Sequence, residues 1–188
     1  MSCTCGDHSM MRVAIQGIRA SYSAEAANSL FSCTLVECRS FKAAIESLRT
    51  LRADAAVLPV KNSLTGEITD VVELLSAADL AVTGEIELPV RHVLAACGRV
   101  SLQSLTGVVS HPQALLQCNK FIALHKLQKF SAPDTATAVR EVARGNDMTL
   151  AAIGSKRAAQ LFGATIIAEH IADSEDNYTL FYSIARRG

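Results

Sequence analysis

The sequence predicts an α/β protein of two lobes that share a cleft, and three observations carry that expectation. Short apolar runs such as Val13-Ala14-Ile15 and Gly107-Val108-Val109 alternate with segments of helical periodicity along the chain. The order strand, loop, helix recurs in outline in each half, without a residue-level repeat or a low-complexity linker. The 188 residues, 49% of them hydrophobic, suffice for one substantial core or two smaller lobes.

Taken in order, residues 12–16 read as a first strand, 23–31 as an Ala-rich helix and 34–37 as a second strand. Residues 40–50 read as a helix because Phe41, Ala44, Ile45 and Leu48 recur at i, i+3, i+4 and i+7. Residues 55–59 form a third strand ended by Pro59, followed by a loop at 61–66 and a helix at 69–76. Two long strands, 80–88 and 91–96, are interrupted at Pro89, and 108–110 is the next strand. Pro112 suits a first helical turn, where its missing N–H would be unpaired anyway, so 112–125 reads as one helix. A strand at 129–131, a helix at 135–144, a strand at 150–153, a helix at 155–162 and strands at 166–168 and 178–185 complete the chain. The chain is expected to cross between lobes near 84–89 and 171–176, so that lobe 1 is 11–84 plus 172–188 and lobe 2 is 85–171.

Composition narrows the function. Lys plus Arg equals Asp plus Glu at 18 each, Trp is absent and aromatics are 5%, which argues against nucleic acid and against an anionic membrane surface. No apolar stretch approaches a membrane span, and residues 1–11 lack a signal-peptide core, so a cytoplasmic setting is expected. Of six cysteines, Cys33, Cys38, Cys97 and Cys118 read as small buried hydrophobes. Cys3, Cys5 and His8 offer thiolates and an imidazole, but structural zinc sites draw four ligands from two spaced pairs and no second pair is evident. Residues 1–10 are therefore read as a disordered leader, and neither metal nor cofactor is expected.

Five polar clusters sit where elements hand over. Gly17-Ile18-Arg19-Ala20-Ser21-Tyr22-Ser23 enters a helix with Ser21 or Ser23 as N-cap, which is both ordinary capping and a seat for a carboxylate. It lacks the glycines of a dinucleotide or phosphate loop. Pro59-Val60-Lys61-Asn62-Ser63-Leu64-Thr65-Gly66 turns the chain with amide and hydroxyl groups, and Arg91-His92 enters an apolar strand where both need partners if buried. Ser110-His111-Pro112-Gln113 hands a strand to a helix and places Ser110, His111 and Gln113 at its mouth. Asn177-Tyr178-Thr179-Leu180-Phe181 leads into the final strand. There is no Ser/His/Asp ordering and no HExxH-type motif, and adjacent Ser110 and His111 are unsuited to nucleophile activation, so a hydrolase is set aside.

In this order the clusters resemble the catalytic domain of prephenate dehydratase. That family's pattern runs Gly-Pro-x-Gly-Thr-Phe-Ser, Pro-x-Glu-Asn-Ser-x-x-Gly, Leu-Pro-x-Arg-His, Ser-His-Pro-Gln-Ala-Leu-x-Gln-Cys, Ala-Ala-Ile-Ala-Ser-x-x-Ala-Ala and Asn-x-Thr-Arg-Phe. The likeness covers about 12–184, and the motifs are modest singly but specific in series. It implies lobes of the periplasmic-binding-protein type II, a homodimer, prephenate as small-molecule substrate and cofactor-free conversion to phenylpyruvate, water and carbon dioxide. It also implies that the phenylalanine-sensing ACT domain usual in the family is missing after Gly188. By resemblance Thr179 assists the departing hydroxyl, with Asn62 and Gln113 beside it. Ser21, Lys61, Ser63, Arg91, Ser110, His111 and Thr135 would then bind the substrate.

Departures fall inside the motifs. Leu180 stands at the arginine of Thr-Arg-Phe, Lys61 at the glutamate before Asn-Ser, and Ile18 and Ala20 at the proline and glycine of the first loop. Lys61 is expected either to take over a carboxylate-binding role or to lie at the rim. Leu180 keeps two other readings open, a non-aromatising prephenate decarboxylase and a non-catalytic binder of small carboxylates. Retention of Asn62, Ser63, Thr179 and 110–118 favours the dehydratase.

Overall fold

A computed structural model describes residues 10–76 and 79–187. The Cys3, Cys5 and His8 tail lies outside them. No group of three or more metal-ligating side chains converges among the described residues, and no helix there is long and apolar enough to cross a membrane.

The first lobe is built on a sheet ordered β2-β1-β3-β11-β5, with the short β4 (Gly66–Glu67) off β3. β1 (Met11–Gln16) pairs in parallel with β2 (Cys33–Cys38) and β3 (Ala55–Asn62), while β11 (Tyr178–Arg186) runs antiparallel between β3 and β5 (Leu80–Pro89). Val13, Ala14 and Ile15 in β1 and 55–58 in β3 are buried consecutively, as strands covered on both faces require. Helices α1 (Tyr22–Leu30), α2 (Phe41–Arg49) and α3 (Thr69–Ser76) supply the cover. Ser21 and Ser40 cap the first two, each accepting from the backbone N–H three residues on.

The second lobe carries a sheet ordered β10-β6-β9-β7-β8. β6 (His92–Ala96) is antiparallel to β9 (Leu150–Ser155) and β10 (Thr165–Ala168), and β7 (Gly107–Ser110) is parallel to β9 and β8 (Gln128–Ser131). α4 (Pro112–Gln117), α5 (Asn119–Leu124), α6 (Thr135–Arg144) and α7 (Lys156–Phe162) pack on its faces. Among the described residues, the buried hydrophobic side chains form four clusters, two per lobe. One cluster of the second lobe, around Val93, Val139 and Ala158, takes in Ala20, with Ile18 packed against it, from the loop between β1 and α1. The first lobe therefore reaches into the second.

Four expectations need correction. The first crossing is at Val90–Arg91, not within 84–89, because β11 pairs with β5 along its whole length, from Tyr178↔Pro89 to Arg186↔Leu80. The boundary at 84/85 would cut a strand in two. β3 runs past Pro59 to Asn62 and returns as β4, where a loop was expected. The helix expected over 112–125 is two helices broken at Cys118 (φ −115°, ψ 23°). There the Asp173 backbone N–H donates to the Gln117 carbonyl at 2.7 Å, and the Asp173 carboxylate caps α5 through Lys120 N at 3.0 Å. Among the cysteines, Cys38 and Cys118 are buried, but Cys33 and Cys97 are only half-buried.

Gly154 on β9 shows how closely α6 sits on its sheet. A Cβ there would lie 2.5 Å from Val139 Cγ2 and 3.2 Å from the Thr135 carbonyl oxygen. Gly154→Ala should therefore overpack this contact and lower stability by about 1–3 kcal/mol, read as a lower urea midpoint.

Candidate active site

A cleft of about 440 Å³ opens between the lobes. Lobe 1 lines it with Gln16, Ser21, Tyr22 and Ser23 from the β1–α1 handover and with Asn62, Thr179 and Phe181 from the sheet. Lobe 2 adds His92, His111, Gln113 and Gln117, together with Asp134 and Thr135 at the start of α6. The first turns of α1 and α6 thus border the cleft, and helix N-termini favour anionic groups. Among the described residues no Lys or Arg lines it.

The centre is a hydrogen-bond knot around Asn62, which is 8% exposed. Its Oδ1 accepts from Leu64 N (3.1 Å) and Thr65 N (3.2 Å). Backbone N–H groups only donate, so the amide orientation follows from the network. Its Nδ2 then shares two N–H donors among Asn177 Oδ1 (2.8 Å), the Tyr178 carbonyl (2.9 Å) and Thr179 Oγ1 (3.0 Å). With Oγ1 accepting from Asn62, the Thr179 hydroxyl keeps its own proton for an acceptor in the cleft.

The register of β11 against β3 explains which predicted residues converge. Thr179 is opposite Asn62, Leu180 opposite Lys61 and Phe181 opposite Pro59, with a bulge between the last two pairs. Strand side chains alternate between faces, so Thr179 and Phe181 face the cleft while Leu180 turns the other way. There Leu180 packs beside Val60, Val71 and Leu80, and with Lys61 it lines a separate depression toward α3. A substrate-binding role for Lys61 does not fit that position. The two charge departures share this outer face, away from the cleft.

Three more predicted binders lie elsewhere. The Ser63 hydroxyl accepts from Tyr178 N and donates to the Asp176 carbonyl, both at 3.0 Å, and so fastens β11 to the end of β3. Arg91 presents its carbonyl to the Tyr22 hydroxyl at 2.8 Å and leaves its side chain exposed at the crossing. Ser110 is fully buried and donates to the Ile153 carbonyl at 2.7 Å, stitching β7 to β9. Ser21, Asn62, His111, Gln113, Thr135 and Thr179 all border the cleft.

Tyr22, His92, Gln117 and Asn177 were given no role in the sequence reading. His92 and Asn177 lie inside quoted motifs, but their burial depends on the crossing. The Asn177 carbonyl accepts from Val90 N at 2.8 Å, so the two crossing strands bind each other. His92 Nε2 lies 2.9 Å from Gln117 Oε1, an acceptor, which assigns the proton to Nε2 and leaves Nδ1 as a buried lone pair without a protein partner. Burial holds the His92 imidazole below its ordinary range, and the Gln117 bond opposes this only in part. Burial also raises the Tyr22 phenol above its usual value and pushes the Cys118 thiol up to about 12. With no Lys or Arg in its lining among the described residues, the cleft is polar but poor in charged side chains.

A family model described as prephenate dehydratase matches residues 13–188. The chain is 40% identical over 179 residues to arogenate dehydratase/prephenate dehydratase 2, chloroplastic, of Arabidopsis thaliana, covering 95% of this chain and 47% of that protein. It spans about half the length of the curated relatives it matches. Among solved structures, GqqA, described as a novel type of quorum quenching acylase, superposes with a TM-score of 0.83 at 30% identity over 94% of this chain and 64% of that one. The prephenate dehydratase of Arthrobacter aurescens, solved with L-Phe, gives 0.85 at 24% identity, covering 94% and 61%. The methionine-binding protein MetQ shares the two-lobed fold of periplasmic binding proteins at 0.53 and 15% identity, covering 94% and 83%.

The state of His92 has a measurable consequence. The unfolded chain takes up a proton near the ordinary histidine value of about 6.5, and the folded protein only at lower pH. The unfolded state therefore binds more protons in that window, and stability falls as pH drops below about 6.5. Urea midpoints measured from about pH 7.5 down to about 5.5 should fall, and His92→Gln should flatten the decline.

Proposed function

The chain belongs to the prephenate dehydratase family, and on that basis we propose that its cleft catalyses the aromatising loss of carbon dioxide and water from prephenate, giving phenylpyruvate. The observation that carries this reading is the Thr179 hydroxyl, which accepts from the Asn62 amide at 3.0 Å and borders the cleft.

Prephenate carries two carboxylates and a ring hydroxyl. As the ring carboxylate leaves as carbon dioxide, its bonding electrons pass into the ring and the hydroxyl leaves from the opposite carbon. The departing oxygen needs a proton to leave as water, and the Thr179 O–H is the donor the cleft offers. The Asn62 N–H stabilises Oγ1 while the proton shifts outward, and a proton from solvent restores the hydroxyl. Formation of the aromatic ring drives the reaction, so the protein has mainly to hold and orient its substrate.

Carboxylate binding falls to neutral donors in this reading. The first turns of α1, with Ser21 and Ser23, and of α6, with Thr135, offer N–H and hydroxyl groups, and Gln113 adds its amide. A low-charge cleft suits a reaction that discharges a carboxylate, since the charge is not held by a cation it would have to abandon. Arogenate, with an ammonium in place of the keto oxygen, is a second reading favoured by the double name of the Arabidopsis relative. Asp134, the one carboxylate lining the cleft among the described residues, already accepts from Thr137 N at 2.7 Å and Thr137 Oγ1 at 2.8 Å. This supports prephenate as the better substrate.

Incubation with each substrate tests the proposal. Phenylpyruvate with carbon dioxide from prephenate is the expected result. A dihydro-hydroxyphenylpyruvate that keeps the ring hydroxyl, or binding without product, would overturn it. Thr179→Val keeps shape and removes the donor, so kcat should fall by about 10²–10⁴-fold with KM changed only a few-fold.

A further inference from the structure

The loop that gives Gln16 and Ser21 to the cleft gives Ile18 and Arg19 to a second groove between the lobes, of about 330 Å³. Leu161 and Phe162 of lobe 2 join Ile18 as its apolar lining. Three guanidinium groups, Arg19, Arg140 and Arg144, share the groove with a single carboxylate, Glu37. That carboxylate is engaged, because Glu37 Oε1 accepts from the Arg19 backbone N–H at 2.9 Å and from its Nε at 3.4 Å. Arg140 leans on its neighbour Glu141 at 3.0 Å, but Glu141 is 61% exposed and lies outside the groove lining. Arg144, in the last turn of α6, forms no ion pair among the described residues.

Arg140 and Arg144 are four residues apart on α6, so they share one helix face and repel. A bound anion would relieve that repulsion. We propose that this groove is a second binding site, for a small organic carboxylate with an apolar body, held between Arg19 of one lobe and Arg140 and Arg144 of the other. A guanidinium offers paired N–H donors that match a carboxylate in its own plane. The apolar body then lies against Ile18, Leu161 and Phe162, giving the mix of apolar wall and few polar anchors typical of ligand pockets. Such a ligand bridges the lobes, so any preference it has for one lobe spacing changes affinity in the cleft, and the effect is reciprocal. The site does not depend on which reaction the cleft performs.

Titration calorimetry of the whole chain with 3-phenylpropionate is the test. Binding is expected to the unaltered protein and equally to Gln113→Ala, which removes a carboxylate-binding amide from the cleft and lies outside the groove. Arg144→Gln and Leu161→Glu replace exposed groups of the groove, the leucine being 51% exposed, and each should weaken binding at least about tenfold with the circular dichroism spectrum unchanged. Absence of binding to the unaltered protein would overturn the proposal, as would binding that ignores both groove substitutions. Loss of binding in Gln113→Ala alone would place the ligand in the cleft instead. Equal affinity for inorganic phosphate would reduce the groove to an unselective cationic patch.

Discussion

The antiparallel seam between β3 and β11 is the constraint on which the molecule depends. It joins two segments far apart in sequence, and at its cleft end Asn62 ties the backbone of one strand to the side chains and carbonyl of the other. Every polar atom of that amide is used, which is what makes a buried amide tolerable. Ser63 repeats the fastening one residue further out. Because β11 also pairs with β5, the same strand holds the edge of the sheet that leads into the second lobe. Sheet integrity and the placement of the Thr179 hydroxyl are therefore one structural fact.

The second constraint is the loop after β1. Ala20 is 1% exposed and belongs to a hydrophobic cluster of the opposite lobe, with Ile18 packed against it. Two covalent crossings alone would leave the lobes free to hinge. An apolar plug from one lobe into the other adds a third point of attachment, beside the Tyr22 hydroxyl on the Arg91 carbonyl. The positions that depart from the family's proline and glycine are thus the ones whose side chains reach across.

Much of this was legible in the sequence, because strand-to-helix handovers expose polar groups at one end of a sheet. Ser21 and Gln113 stand at such handovers, whereas Thr135 and Thr179 are implied by the family resemblance. Lys61 misled because Pro59 reads as a strand end, whereas here it sits at a bulge, where a missing N–H is tolerated. Once β3 continues, alternation turns Lys61 outward. Ser110 looked like a mouth residue, but its hydroxyl is taken by a neighbouring strand whose position only the topology reveals. The break at Cys118 was invisible for the same reason, since the residue that stabilises it, Asp173, arrives from the far crossing. Local pattern exposed the elements and most of the cleft, while side-chain facing required register.

The route of the chain also bears on its synthesis. The middle lobe, from β6 to β10, has all its strands as soon as it leaves the ribosome. The outer lobe still lacks the strand that must slide between β3 and β5, because that strand follows the middle lobe in the chain. Until then both neighbours present open edges of unpaired backbone, a recognised opening for intermolecular pairing. The outer sheet thus closes only after the lobe inserted within it has been made, and its two waiting edges stay open through that interval.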